Sequence, residues 1–305
     1  MNTRSLASLA APVGFTPAAL LLKRLGAIRM AAPVRFVPRW RADTALALAV
    51  LGLIVLAAAI PGVLAPYAPT DLDHGAVLSA PSARHWAGTD HLGRDIFSLI
   101  VFGARQTLLV ALSSVAIGTL GGTALGLACG YGGRWFDGAV TRLIEIWLAI
   151  PDVLLVIVLA TALTPSMGNV VLTIGVVMIP RFSRIVRAQV VALRHRPFIT
   201  AARALGVSER SILFDHVLPH TLSPLLVMAT LGVAMAALMG SMISFLGLGA
   251  VDDLPDWGYL ISQARSYLTV AWWMGAFPGV AITLFVIAVN MLGDRLRISF
   301  NPRAR

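Results

Sequence analysis

Few side chains in this sequence could do chemistry, and their types narrow what is open to it. Asp152 follows Pro151 roughly midway along an apolar stretch, and a carboxylate at that depth in hydrocarbon costs about 3 kcal/mol or more unless it meets water or a partner. It is either a polar group on a solute's route or a residue sealed by a neighbouring helix's hydroxyl or arginine. Glu145 has Arg142 three residues earlier as a helical partner. The six histidines, His74, His85, His91, His195, His216 and His220, share no metal-ligand spacing. No Ser/His/Asp set or carboxylate pair can be assembled from neighbouring positions, so enzymatic chemistry is not expected. The single lysine, Lys23, stands between Leu22 and Arg24, which forbids a P-loop there. The single cysteine, Cys129, leaves neither a disulfide framework nor a cysteine-metal cluster.

The elements that carry these residues follow from composition. With 58% hydrophobic and only 12% charged residues in 305, the chain has too little polar surface to cover a water-soluble core. A net charge of +10 would suit nucleic acid, but the apolar excess places the chain in a lipid bilayer. Uncharged windows at 44–70, 106–133, 153–180, 217–251 and 266–293 are each long enough to cross. Pro165, Ser166 and Gly168 make a turn in the third window, and its pattern continues back to about Ala139. Six spans are predicted, at about 44–64, 106–130, 139–163, 169–189, 222–247 and 270–293. Twenty basic residues fall on the side shared by the two termini and the 181–220 loop, and four on the other, so both termini are expected in the cytoplasm. Residues 1–43 read as a retained cytoplasmic tail, with Pro12, Pro17 and Lys23-Arg24 interrupting any leader. Within it, 18–31 suits either a basic amphipathic helix or disorder.

Two spans carry strips of small residues. Ser114, Gly118, Gly122, Gly126 and Gly130 recur every fourth position in the second span, and Gly232, Ala236, Gly240 and Ser244 do so in the fifth, where another backbone can approach closely. Met235, Met239 and Met242 share another face of the fifth span, which suits core filling or a pathway tolerant of varied cargo.

The 194–220 loop is punctuated for two short helices. Pro197 suits a first helical position and Gly206 the residue after a helix end; Ser208 can cap a second helix with Glu209 in its first turn, and Pro219 is expected to stop it. Ala201, Ala202 and Ala204, with Phe198, Leu205, Ile212 and Leu213, make a compact apolar knob that needs a socket, as in helix-in-groove recognition.

Here the sequence resembles the inner-membrane permeases of binding-protein-dependent ABC importers. Their loop signature runs Glu-Ala-Ala, three residues, Gly, nine residues, Ile-x-Leu-Pro. This chain has Thr200-Ala201-Ala202, Gly206 and His216-Val217-Leu218-Pro219 at that spacing, with Thr200 and His216 as departures. Gly88-Thr89-Asp90-His91-Leu92-Gly93-Arg94-Asp95, Gly103-Ala104-Arg105, Pro180-Arg181, Val186-Arg187-Ala188-Gln189, Asp256-Trp257-Gly258, Trp272-Trp273, Phe277-Pro278-Gly279, Asn290-x-Leu292-Gly293-Asp294-x-Leu296-Arg297 and Pro302-Arg303 are similar to the C-type subunit of the dipeptide/oligopeptide/nickel branch. Asn301 departs from the aspartate more usual there.

The resemblance implies an all-α polytopic protein of the bacterial inner membrane with the type I ABC importer transmembrane fold. It divides the chain into a tail (1–43), a first span and extracytoplasmic segment (44–105), a permease domain (106–294, coupling loop 194–220) and a C-terminal tail (295–305). It further implies a second homologous permease, two cytoplasmic ATPases that hold the ATP and magnesium, and an extracytoplasmic binding protein. The cargo would be peptides, with nickel or glutathione as alternatives. Phe198, Thr200, Ala201, Ala202, Arg203, Gly206, Leu218 and Pro219 would couple to an ATPase; Asp152, Met235, Met239 and Met242 would border the pathway; Asp253, Asp256 and Trp257, with Asp252, would help dock the binding protein. An ion-coupled carrier would instead need a midplane relay or inverted halves, and only Asp152 is available for one.

Overall fold

The computed structural model describes residues 42–249 and 255–300. Asp252, Asp253, the 18–31 stretch and the Asn301-Pro302-Arg303 end lie outside the described residues. In chain order the helices are α1 (Ala42–Ala59), α2 (Pro61–Leu64), α3 (Ile96–Tyr131), α4 (Arg134–Ala149), α5 (Asp152–Ala162), α6 (Met167–Leu193), α7 (Pro197–Ala204) and α8 (Glu209–Ser211). A turn of π-helix, Ile212–Val217, leads into α9 (Leu218–Phe245), followed by α10 (Trp257–Ala264) and α11 (Trp273–Phe300). Among the described residues the sole β pairing is an isolated Thr89–Asp95 bridge.

Among the described residues, four helices are long and apolar enough to cross a membrane, and α4 with α5 makes a fifth if that pair, bent by 92°, counts as one span. The hydropathy pattern does not announce this bend, since 139–163 reads as one straight span. Pro151 is its cause: it cannot continue the α4 hydrogen-bond ladder, and it drives Ile150 into extended backbone. The second span also starts earlier than the charge pattern suggests, at Ile96 rather than near 106. The Asp95 carboxylate accepts from the Ser98 N–H and nucleates the helix ten residues before the uncharged window opens.

The small-residue strip of α3 sets the central packing. A methyl placed on Gly118 would stand 2.8 Å from Met178 Cβ, on Gly126 2.7 Å from Val186 Cβ, and on Gly130 2.7 Å from Val190 Cβ, while Gly122 faces Phe182 just as closely. Positions advance together on both helices, four by four, so α3 and α6 run parallel, and the bent α4–α5 pair must carry the chain back between them. Ser114 closes the top of this seam by donating to the Val171 carbonyl at 3.2 Å. The α9 strip joins it: Gly232 lies against Met178 and Phe182, and Gly240 against Val110 of α3. Buried Leu99, Val156, Ile174, Phe182, Val186, Ile243 and Phe285 fill the spaces between α3, α5, α6, α9 and α11.

Candidate functional site

At the α7–α8 elbow the chain forms the local structure its glycine and serine call for. Gly206 has φ +81°, the left-handed conformation that a residue without Cβ adopts at no steric cost. Its N–H donates to the Arg203 carbonyl, and the Val207 N–H to the Ala202 carbonyl, which is the six-to-one and five-to-two pattern of a Schellman motif. Ser208 then accepts from the Ser211 N–H and opens the second helix. Across the elbow the Arg203 guanidinium donates to both oxygens of Glu209 at 2.6 and 3.1 Å, holding the two helices at a fixed angle. That pairing keeps the Glu209 carboxyl below its ordinary range.

The knob has an inside and an outside. Ile199, Ala202, Ile212 and Val217 are buried, while Phe198, Leu205 (84% exposed) and Phe214 face out, together with Thr200, Ala201 and Arg203. Ile212, expected to help fill a socket, therefore holds the knob together, and Ala202 does the same. Phe198 stacks on His220 with 5.6 Å between ring centres. Pro219 does not stop the helix as expected. The preceding π turn gives the Leu218 N–H the Leu213 carbonyl as acceptor, and the next residue, Pro219, needs none, so the helical path continues to Phe245.

Asp152 begins α5 and meets Arg181 of α6 at 2.5 Å. A second ion pair, Asp137 with Arg187, ties α4 to the same helix, so both arms of the bent span are fastened to α6 by arginine. Arg181 is legible in the sequence only as part of a family motif, and its pairing with Asp152 requires the fold. The methionine face is divided: Met239 is buried among core residues, Met242 is half-buried and Met235 is exposed. Arg142 and Glu145 pair at 3.0 Å on the surface of α4.

The cap formed by residues 67–95, α10 and the start of α11 is tightly bonded. Asp90 accepts from the Leu92 and Arg94 N–H groups and from the Arg94 guanidinium, which also donates to Gln263 of α10. His85 meets Asp95 at 3.0 Å, and the Trp273 indole donates to the Thr89 carbonyl. Trp257, expected on a docking surface, is 1% exposed, with its indole N–H given to the Ile100 carbonyl. Its ring is too large to leave outside once α10 folds onto α3, α9 and α11; Gly103 permits the approach to α3 and Gly258 that to Ser241 of α9. Asp256 caps α10 through the Tyr259 N–H and accepts from Ser244 at 2.5 Å, so its carboxyl too points inward. The exposed aromatic side chains of this cap include Trp86 and Trp272.

Burial pushes the Asp256 carboxyl above the usual carboxylate range, against the pull of Ser244 and the backbone donors. A carboxylate with a raised folded-state pKa contributes stability that is complete below the unfolded value of about 4 and is lost as pH rises through the folded value. Asp256→Asn keeps an acceptor for Tyr259 and removes this dependence. Thermal unfolding of the detergent-solubilised protein is expected to show the Asp256→Asn variant gaining on the unmodified chain as pH rises from about 4 to 8.

A bundle built on parallel, glycine-seamed helices, with an apolar elbow on one side and a bonded cap on the other, is a membrane permease of the type I ABC importer fold. Two solved inward-facing structures of the MetNI methionine ABC transporter share that fold. One matches with TM-score 0.55 at 20% identity over 67% of this chain and 97% of its own, the other with TM-score 0.53 at 23% identity over 68% and 98%. Residues 122–305 match the family of binding-protein-dependent transport system inner membrane components, and the chain belongs to that family. It is 42% identical to the dipeptide transport system permease protein DppC of Alkalihalophilus pseudofirmus, over 85% of this chain and 86% of the relative. It is 38% identical to the glutathione transport system permease protein GsiD of Pectobacterium atrosepticum over 79% and 81%. The corresponding figures for the probable D,D-dipeptide transport system permease protein DdpC of Escherichia coli are 39%, over 79% and 81%. The chain is a permease subunit of an ABC importer in the inner membrane.

Proposed function

We propose that this permease forms half of a translocation pathway for di- or oligopeptides. In this reading it pairs with a second homologous permease, two cytoplasmic ATPases that bind ATP and magnesium, and an extracytoplasmic binding protein. The six crossings, with α1 first and both termini in the cytoplasm, belong to the same proposal, as does the division at 43, 105 and 294. Peptide cargo is supported by similar proteins named for dipeptides, di/tripeptides, peptides or glutathione.

The observation that carries the coupling role is the elbow: a braced, left-handed glycine turn presenting Phe198, Leu205 and Phe214 to the outside. An apolar surface of that kind on a cytoplasmic loop is stable when covered by a partner. ATP-driven closure of the ATPases would push the knobs of both permeases together, and the push would reach α6 and α9, which leave the elbow on either side, exchanging inward-open for outward-open arrangements. Arg203 and Thr200 stand at the rim of that contact, with Ala201, Leu218 and Pro219 nearby. Uptake of a labelled dipeptide into vesicles carrying the reconstituted assembly tests the reading. Uptake is expected only with ATP and the binding protein together, and is expected to stop with vanadate; uptake driven by an ion gradient without ATP would refute it.

A further inference from the structure

The Asp152–Arg181 pair stands where a charge is costly. Arg181 is the fifteenth of the 27 residues of α6, close to the middle of a helix about 40 Å long. Its side chain is 44% exposed and that of Asp152 19%, so the pair lies on the surface of this chain rather than inside its core. Arg184, one turn closer to the cytoplasm, shares the exposed face with Arg181, and among the described residues no carboxylate pairs with it. Hydrocarbon cannot solvate two arginines at these depths, so this face of α5 and α6 is turned to water or to a protein surface that encloses it. The neighbouring Asp137–Arg187 pair ties α4 to α6, so each arm of the bent span carries one ion pair to that helix, and Arg181 is the more exposed arginine of the two.

We infer that Asp152 and Arg181 line the translocation route and read the charges of a zwitterionic cargo, Arg181 taking a carboxylate and Asp152 an ammonium group. This rests on the peptide reading above. An exposed pair offers both signs at one place. A cargo with a single charge that displaces one member leaves the other unpaired within the predicted 169–189 span, whereas a zwitterion replaces both partners at once. The planar guanidinium can hold a carboxylate through two parallel N–H bonds, and Arg184 presents a second such fork further along the same face. Asp152 sits at the first residue of an eleven-residue helix, with its carboxylate already held by Arg181. A bare divalent cation would gain Asp152 but meet two arginines, so the same face disfavours metal ions as cargo.

The test uses the complete assembly in liposomes, with its binding protein and labelled alanyl-alanine, and reads dipeptide delivered per ATP hydrolysed. Arg181→Gln is expected to lower that ratio at least about tenfold, since a charged hydrogen-bonding partner is lost. Arg181→Lys, which keeps the charge without the fork, is expected to retain part of it. The exchanged variant Asp152→Arg/Arg181→Asp restores an ion pair but moves each charge to the other helix, and it is expected to remain impaired. A normal ratio for Arg181→Gln, or full recovery in the exchanged variant, would show the pair to be a structural tie and overturn the inference. If Arg181→Gln does not assemble, Asp152→Asn/Arg181→Gln, which leaves no unpaired charge, replaces it with the same expectation and the same contrary result. Absence of uptake of both alanyl-alanine and penta-alanine by the unmutated assembly would overturn the peptide reading itself, which is a separate failure.

Discussion

Gly206→Val is expected to reduce ATP-driven uptake to background while the chain still inserts in the membrane. The residue has φ +81°, and nothing lies within 4 Å of where its Cβ would be, so the penalty is conformational and not a collision. A side chain with a Cβ costs about 1–2 kcal/mol there, and a β-branched one more. The cheapest escape is to rotate the elbow, which breaks the paired Gly206 and Val207 hydrogen bonds and re-aims Leu205. Because space is open, the substitutions should rank by backbone preference: Gly206→Asn close to the unmodified chain, Gly206→Ala intermediate, Gly206→Val inactive. Uptake assays on membranes with matched amounts of the three variants check the order. A clash mechanism would instead rank them by size.

The second large effect concerns assembly of the bundle. Gly122→Leu is expected to abolish recovery of folded protein in detergent. A Cβ there already crowds the Phe182 Cβ and lies 2.9 Å from the Ile179 carbonyl oxygen and the Ser183 nitrogen. Backbone atoms cannot step aside as a flexible side chain can, so α3 and α6 must part along the whole seam, well beyond the roughly 1–3 kcal/mol typical of overpacking. Gly138→Ala, on α4 with no atom within 4 Å of the added methyl, is the matched control. It should be neutral or stabilising by up to about 1 kcal/mol, the helix preference of alanine over glycine. Size-exclusion chromatography and thermal unfolding of both variants separate these outcomes.

The sequence was most informative where local chemistry decides the structure. The Gly206 turn, the Ser208 cap and the glycine strip of α3 are encoded within a few residues, and each is present in the fold. It was least informative where a distant partner decides. Trp257 reads as an exposed aromatic because nothing near it in sequence announces the Ile100 carbonyl that takes its indole N–H. Asp152 could be recognised as costly, but its partner is 29 residues away, on the far side of a turn and a helix. Hydropathy also blurs helix ends: it places the start of the second span after Arg105, whereas the Asp95 cap places it at Ile96. Pro219 shows the same limit, since the π turn before it removes the hydrogen bond that proline would have broken.

The central claim, that the elbow is the handle gripped by a separate motor, is tested most directly by cross-linking. Leu205→Cys adds an exposed thiol to a chain whose single native cysteine, Cys129, is buried. In the assembled importer this thiol is expected to cross-link to an ATPase subunit in high yield, with a yield that changes when ATP is trapped by vanadate. Cross-linking to lipid-facing reagents alone, with no ATPase adduct in any nucleotide state, would contradict the account.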